Sequence, residues 1–381
     1  MKKGALEGIT VIDISRLLPG PYCSMILADH GARVISIEDK RYEAEGLFVP
    51  TVNRNKSHMT LNLKSDQGKK IFYQLVEKAD VVLEGFRPGV AERLGVQYET
   101  VKKINPKIIY CSITGFGQTG QYKDQAGHDV NYLSLSGVLD VIGEPDRPPV
   151  IPGIQIADIA GGGMNAAIGI LLALFARDRT GTGQYIDISM TDTMVSFLSI
   201  TQYLHNLLGQ LPVRGDSLLS HHYAFYNTYE TSDHRYIAIG ALENRFWSIL
   251  CNHLGKPEFI PLQYDENRRV EIIETLREIF RSKTLAEWDA ELSQLDVCYS
   301  PIHNFSEVLD HPLFKEREMI VPIEDADGKE QKVLGVTAKL SETPGTVRTP
   351  PVKFGENTNE ILSELGYSED DIKKFREKSV L

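Results

Sequence analysis

His128 and Asp158 lie in two short segments, Ala126-Gly127-His128-Asp129-Val130-Asn131-Tyr132 and Ile156-Ala157-Asp158-Ile159-Ala160-Gly161-Gly162-Gly163. An imidazole titrates near neutrality, and an aspartate approaches the same range when burial disfavours its charge. Two such groups facing each other across a substrate can take a proton from one face of a carbon and return one to the other. Each also has an ordinary explanation. A histidine beside glycine is commonly a satisfied loop residue, and an aspartate before a helix is commonly its N-cap. A helix start would favour the Asp158 charge while burial would oppose it, and the sequence leaves open which prevails.

The elements around these residues alternate between strand and helix patterns. Ile9 to Ile14, Arg33 to Ile37, Val81 to Leu83, Ile108 to Ile113 and Tyr185 to Ile188 read as strands. Helices are expected over Pro21 to His30, Gln67 to Ala79 and Asp158 to Arg177. Largely apolar runs such as Ile108 to Ile113 belong to strands covered on both faces, so residues 1–205 are expected to form a large open parallel-sheet α/β domain. A smaller α+β domain is expected at 222–310, with strands over Ala224 to Thr231 and Tyr236 to Gly240. Its helices are expected near Arg245 to Leu254, Arg268 to Phe280 and Leu285 to Leu292. Residues 206–221 and 311–324 read as linkers, and a further helix is expected near Asn357 to Leu365. Gly115-Phe116-Gly117-Gln118-Thr119-Gly120 spells GxGxxG after a strand. However, the polar residues Gln121 to Gln125 that follow show no helical apolar face, so a glycine-rich loop is expected and not a dinucleotide site.

Composition narrows the function further. A formal charge of −11 argues against nucleic acid as the main partner, because phosphate backbones require a basic face. Cys23, Cys111, Cys251 and Cys298 are scattered without CxxC spacing or histidine partners, which fits reduced thiols in a cytoplasmic protein and no metal. No signal peptide is visible, since Glu7 and Asp13 interrupt any apolar stretch. The longest apolar run, Met164 to Ala176, is too short to span a bilayer and reads as a buried helix, so no membrane partner is expected.

Several motifs carry a family resemblance. Leu18-Pro19-Gly20-Pro21, Leu27-Ala28-Asp29-His30-Gly31-Ala32-Arg33-Val34, Ser112-Ile113-Thr114-Gly115-Phe116-Gly117-Gln118 and Arg179-Thr180-Gly181-Thr182-Gly183-Gln184 resemble the signatures of the family III CoA-transferases and occur in the same order. Gly127-His128-Asp129-Val130-Asn131-Tyr132 and Gly240-Ala241-Leu242-Glu243 are most similar to its α-methylacyl-CoA racemase branch. The resemblance implies a 1,1-proton transfer beside a CoA thioester through an enolate, with His128 and Asp158 as the acid/base pair and Glu243 orienting His128. Backbone N–H groups near Asp129, or at the start of the Asp158 helix, would hold the enolate oxygen.

For CoA the resemblance implies Leu61-Asn62-Leu63-Lys64 on the adenosine side and Gly85-Phe86-Arg87 with Arg93 on the phosphate side. Gly127, Asp129 and Tyr132 are also expected to contact CoA. The family's usual arginine after the second strand is replaced by Asp39, which makes Lys40 and Arg41 the candidate cations. The chain also carries His221-His222 where the racemases have two glycines, and Asn244 where they have proline. Adjacent histidines seldom point the same way, so this pair is not read as metal ligands. The family's architecture implies a Rossmann-like large domain completed by about 325–381 in an interlocked homodimer. The substrate is an acyl-CoA thioester and no separate cofactor is needed. The alternative is a CoA-transferase in which the Asp158 carboxylate attacks the thioester and carries the acyl group as an anhydride.

Overall fold

A computed structural model describes residues 3–325 and 328–381. The chain forms two compact units, one built from residues up to 138, 152–198 and 311 onwards, the other from 139–151 and 199–310. The boundary expected at 205 therefore falls at 198, and residues 139–151 leave the first unit for the second. Neither expected linker is without structure. The helix Ser199–Leu208 runs into the first, and the helix Pro312–Glu316 and the strand Ile320–Glu324 occupy the second.

The first unit is organised on a six-stranded, wholly parallel sheet. Its strands are β1 (Thr10–Asp13), β2 (Arg33–Glu38), β3 (Ser57–Thr60), β4 (Val81–Glu84), β5 (Ile109–Thr114) and β6 (Tyr185–Ser189). They lie in the order β3-β2-β1-β4-β5-β6, the order of a doubly wound Rossmann-like sheet. β4 and β5 are buried along their whole length, as strands covered by helices on both faces must be. In such sheets the chain reverses its winding between β1 and β4, and the crevice beyond their carboxyl ends is where a ligand has room.

β3 was not recognised in the sequence because four residues, Ser-His-Met-Thr, carry little β-periodicity. Its outer edge is covered by the carboxy-terminal segment. Asn357 Oδ1 accepts from the His58 N–H (3.0 Å), and Thr358 Oγ1 from the Thr60 N–H (3.0 Å). These contacts hide the strand edge and tie the end of the chain into the first unit, where Val380 and Leu381 are buried in the core.

The longest apolar helix differs from its expected form. A π-helical stretch, Ala157–Met164, runs without a break into the α-helix Asn165–Thr180. The resulting 24-residue segment is, by length and composition, long enough to cross a membrane, which corrects the shorter run expected from sequence. Ala166, Ala167, Ile170, Ala173 and Leu174 on this helix are buried in the first unit.

The second unit has a three-stranded antiparallel sheet, with strands Tyr226–Glu230, Tyr236–Gly240 and Tyr299–Pro301. The helices Asn244–His253, Arg269–Phe280 and Leu285–Leu292 pack on one of its faces around Phe225, Tyr229, Trp247 and Trp288.

Candidate functional site

The loops that follow β1, β4 and β5 enclose a cleft of ≈ 420 Å³ in the first unit. Arg16 and Leu17 come from the first loop, Gly85 to Pro88 from the second, and Gly115 and Phe116 from the third. Lys123, Gln125 to His128, Asn131, Tyr132 and Asp158 complete the lining. Of the residues singled out in the sequence, the cleft gathers Gly85, Phe86, Arg87, Gly127, His128, Tyr132 and Asp158.

Close packing explains the glycines of the loop. A Cβ on Gly115 would sit 2.2 Å from Cε1 of Tyr132, and one on Gly127 would sit 2.7 Å from the same atom. The Tyr132 ring therefore fits against two bare backbones, and its hydroxyl donates to the Gly127 carbonyl at 2.5 Å. Gly117 and Gly120 have left-handed backbones, with φ of 81° and 84°, which suits a turning loop and not a helix start.

His128 precedes the helix Asp129–Leu135. Its N–H donates to Asn131 Oδ1 at 3.0 Å, which fixes the backbone from which the exposed imidazole reaches the cleft. Asp158 stands in the first turn of the π-helical stretch, and π-helical turns recur at functional sites. The glycines after it allow that stretch to lie close to its neighbours. A Cβ on Gly162 would be 2.7 Å from Pro19 Cβ, and one on Gly163 would be 2.8 Å from Tyr22 Cδ1.

Burial decides the contest over the Asp158 charge. The carboxyl is pushed up to about 6, first by burial and then by the charge of Asp129, while His128 draws it back. The Asp158 N–H donates to Asp129 Oδ2 at 3.0 Å. That bond occupies the Asp158 N–H itself, one of the groups expected to hold an enolate oxygen. The Tyr132 hydroxyl is pushed up to about 12, mainly by burial and then by Asp158, which keeps it a neutral donor.

A second, smaller cleft lies beyond the end of β2, lined by Arg16, Glu38, Asp39, Arg41, Tyr42, Leu61, Leu63, Lys64 and Phe86. It brings together Arg41, Leu61, Leu63, Lys64 and Phe86 of the expected adenosine and phosphate segments. Three residues depart from expectation. Lys40 is exposed and does not line this cleft. Asn62 is spent on the carboxy-terminal tail, its side-chain amide donating to the Ser379 carbonyl at 3.0 Å. Arg93 lies outside the lining of both clefts and turns back towards Gly89.

Arg16 went unrecognised in the sequence. It borders both clefts, donates to Glu38 (3.1 Å) and Glu45 (2.8 Å), and rests 3.2 Å over the Tyr42 ring. Arg41 approaches the same ring at 4.5 Å. The cations at the end of β2 are thus Arg16 and Arg41, in place of the expected Lys40 and Arg41. The available signal was the position of Arg16 just after β1, at the strand end where a parallel sheet binds ligands.

Glu243 belongs to the second unit, immediately before the helix Asn244–His253, where its charge joins burial in pushing the Cys298 thiol up. In the same unit His221 lines a cavity of ≈ 370 Å³. His222 contacts Asp216 (2.6 Å) and Glu266 (3.1 Å) instead, so the two rings do diverge. Asn244 donates to Gln263 Oε1 at 3.0 Å. Among the described residues no group of His, Cys, Asp and Glu is arranged to hold a metal ion.

Comparison with known proteins agrees with this geometry. The family model for CoA-transferase family III matches residues 6–358. The chain is 38% identical to the human α-methylacyl-CoA racemase over 383 residues, covering 99% of this chain and 97% of that protein. It is 34% identical to the succinyl-CoA:mesaconate CoA-transferase of Haloarcula marismortui, covering 95% and 97%. The crystal structure of a CaiB/BaiF family protein from Brucella suis superposes with a TM-score of 0.84 at 30% identity, over 96% of this chain and all of the other (100%). With the motifs, the sheet order and the strand-end cleft in agreement, the chain belongs to CoA-transferase family III.

Proposed function

We propose that the protein is an α-methylacyl-CoA racemase that inverts the α-carbon of a 2-methylacyl-CoA thioester by 1,1-proton transfer. The observation that carries this reading is the Asp158 carboxyl, held at about 6 in the same cleft as His128. A carboxylate in that range is a usable base near neutrality and its conjugate acid a usable donor, as reversible proton transfer demands.

In one direction Asp158 accepts the α-proton, and the C–H electron pair moves into the enolate. His128 then delivers a proton to the opposite face. The reverse reaction exchanges the two roles. The Asp129 N–H is the proposed donor to the enolate oxygen, and Arg16, Arg41, Lys64 and Arg87 are the cations proposed for the CoA phosphates. Glu243 is proposed to orient His128. The assembly is proposed to be an interlocked homodimer in the cytoplasm. An apolar helix face with Ile168 at 55%, Leu172 at 65% and Phe175 at 59% exposure supports coverage by a second copy. No cofactor beyond the substrate's own CoA is invoked.

The transferase reading keeps one supporting observation. A partly desolvated carboxylate in Asp158's position is also a competent nucleophile towards a thioester carbonyl. One assay separates the two. A single epimer of a 2-methylacyl-CoA is incubated in deuterated water without any acceptor acid. Deuterium entering the α-carbon together with the other epimer supports racemisation. No exchange, with CoA passing to an added carboxylic acid, would establish the transferase.

A further inference from the structure

We infer that Glu84 is a positioning residue that latches the Gly85–Phe86–Arg87 turn onto the sheet and so shapes the cleft proposed for acyl-CoA. β4 ends at Glu84, and the next residues leave the ladder that would have paired their N–H groups. The carboxyl supplies the missing acceptor from two residues back, taking the Phe86 N–H on Oε2 at 2.6 Å. Its other oxygen accepts from the Ser112 hydroxyl, and the Tyr185 hydroxyl donates to Ser112 Oγ at 3.0 Å. Glu84 and Ser112 face one another in the β4–β5 register, and Tyr185 belongs to β6. A hydrogen-bonded chain thus runs across three adjacent strands and ends on the backbone of a turn whose Phe86 and Arg87 border the cleft.

Glycine alone does not impose this turn. A Cβ on Gly85 would approach nothing nearer than 3.5 Å. Glu84 is 2% exposed, and a buried carboxyl is costly unless it is hydrogen-bonded. If the position only had to fill space, an apolar side chain would meet the need at less cost. Burial, with the charges of Glu92 and Asp187, pushes the carboxyl up to about 7 against the two hydrogen bonds, so its neutral form is accessible. Glutamine offers the same shape, with a carbonyl to accept from Phe86 and an amide to donate to Ser112 Oγ.

The inference rests on the proposed acyl-CoA site, and the test keeps the two apart. Amide hydrogen exchange at Phe86 is measured without ligand, and free CoA binding by calorimetry, in the full-length wild type, Glu84→Gln, Glu84→Ala and Ser112→Ala. In Glu84→Ala, Phe86 exchange is expected to be at least about tenfold faster and CoA binding about tenfold weaker, a change of ~1.4 kcal/mol. KM for the thioester should rise more than kcat falls, and Glu84→Gln should restore both readouts.

Unchanged Phe86 exchange in folded Glu84→Ala would overturn the latch. Faster exchange with unaltered CoA affinity, or no rescue by glutamine, would overturn the positioning role. If Glu84→Ala lacks a cooperative melt, Ser112→Ala decides, because it removes only one of the carboxyl's two partners. Exchange faster by about two- to threefold is then expected, and wild-type exchange refutes. A wild type that binds no CoA would sink the acyl-CoA reading, while Phe86 exchange still judges the latch.

Discussion

Replacing Asp129 by asparagine tests directly whether the neighbouring charge tunes Asp158. Asparagine keeps the side-chain shape and an oxygen for the Asp158 N–H, now accepted at 3.0 Å, and removes only the charge. Asp158 rises from 3.8 to about 6, with burial the largest cause and Asp129 the second. Asp129 therefore accounts for less of the rise than burial does, on the order of one pH unit or ~1.4 kcal/mol. The assay is deuterium exchange at the α-carbon from each pure epimer, recorded as kcat/KM against pH.

In the direction that uses Asp158 as the base, the acid limb should move down from about 6 to roughly 5 in Asp129→Asn. At pH ~5 that raises the ionised fraction about fivefold, while the weaker base lowers the alkaline plateau by roughly threefold for a Brønsted slope of ~0.5. The other direction uses the same singly protonated pair with its proton on Asp158, so its acid limb should move together with the first. An acid limb that stays in place, or moves upward, in a variant with the wild-type melt refutes the claim that the Asp129 charge raises Asp158.

Asp158 also bears on stability. Its folded pKa lies above the unfolded value, so the ionised form opposes folding. The cost grows as pH rises through about 4 to 6 and is constant above that window. Asp158→Asn should abolish exchange, spare CoA binding and stabilise the fold at pH ~7.5 by ~1–2 kcal/mol after discounting for partial exposure. At pH ~4 it should give almost no gain, and denaturant titrations at both values check this. Gly115→Ala places a Cβ 2.2 Å from the Tyr132 ring and should cost about 1–3 kcal/mol. A double-mutant cycle with Tyr132→Ala should recover part of that loss, and additive melts would exclude the packing explanation. Leu172→Lys, on the exposed apolar helix face, should yield monomers by light scattering with secondary structure intact, and an unchanged mass would show that the face lies outside the assembly.

Some of this architecture is legible in the sequence alone. The apolar runs that became β1, β2, β4 and β5 announce themselves because a strand covered on both faces has little room for polar residues. β3 escaped notice for the opposite reason. It is a four-residue edge strand held by side chains almost 300 positions later, at Asn357 and Thr358. The segment around Asp158 read as an ordinary α-helix, since no local pattern separates a π-helical turn from an α-helical one. Its π character is seen only once Gly161 to Gly163 are placed against Pro19, Tyr22 and Met190.

The site divides along the same line. Residue types were enough to nominate His128 and Asp158, because acid/base chemistry draws on a short menu of side chains, whereas the Gly85–Arg87 segment came from the family resemblance. Which segments share a cleft was settled by topology, since parallel strands carry the ends of β1, β4 and β5 to one edge of the sheet although they are far apart in the chain. That is how Arg16 joined the site and why Arg93 did not. The ionisation of Asp158 was settled there too. A pKa depends on the solvent removed and the charges brought near, and both arise only when Asp129 and the packed glycine stretch close around the carboxyl.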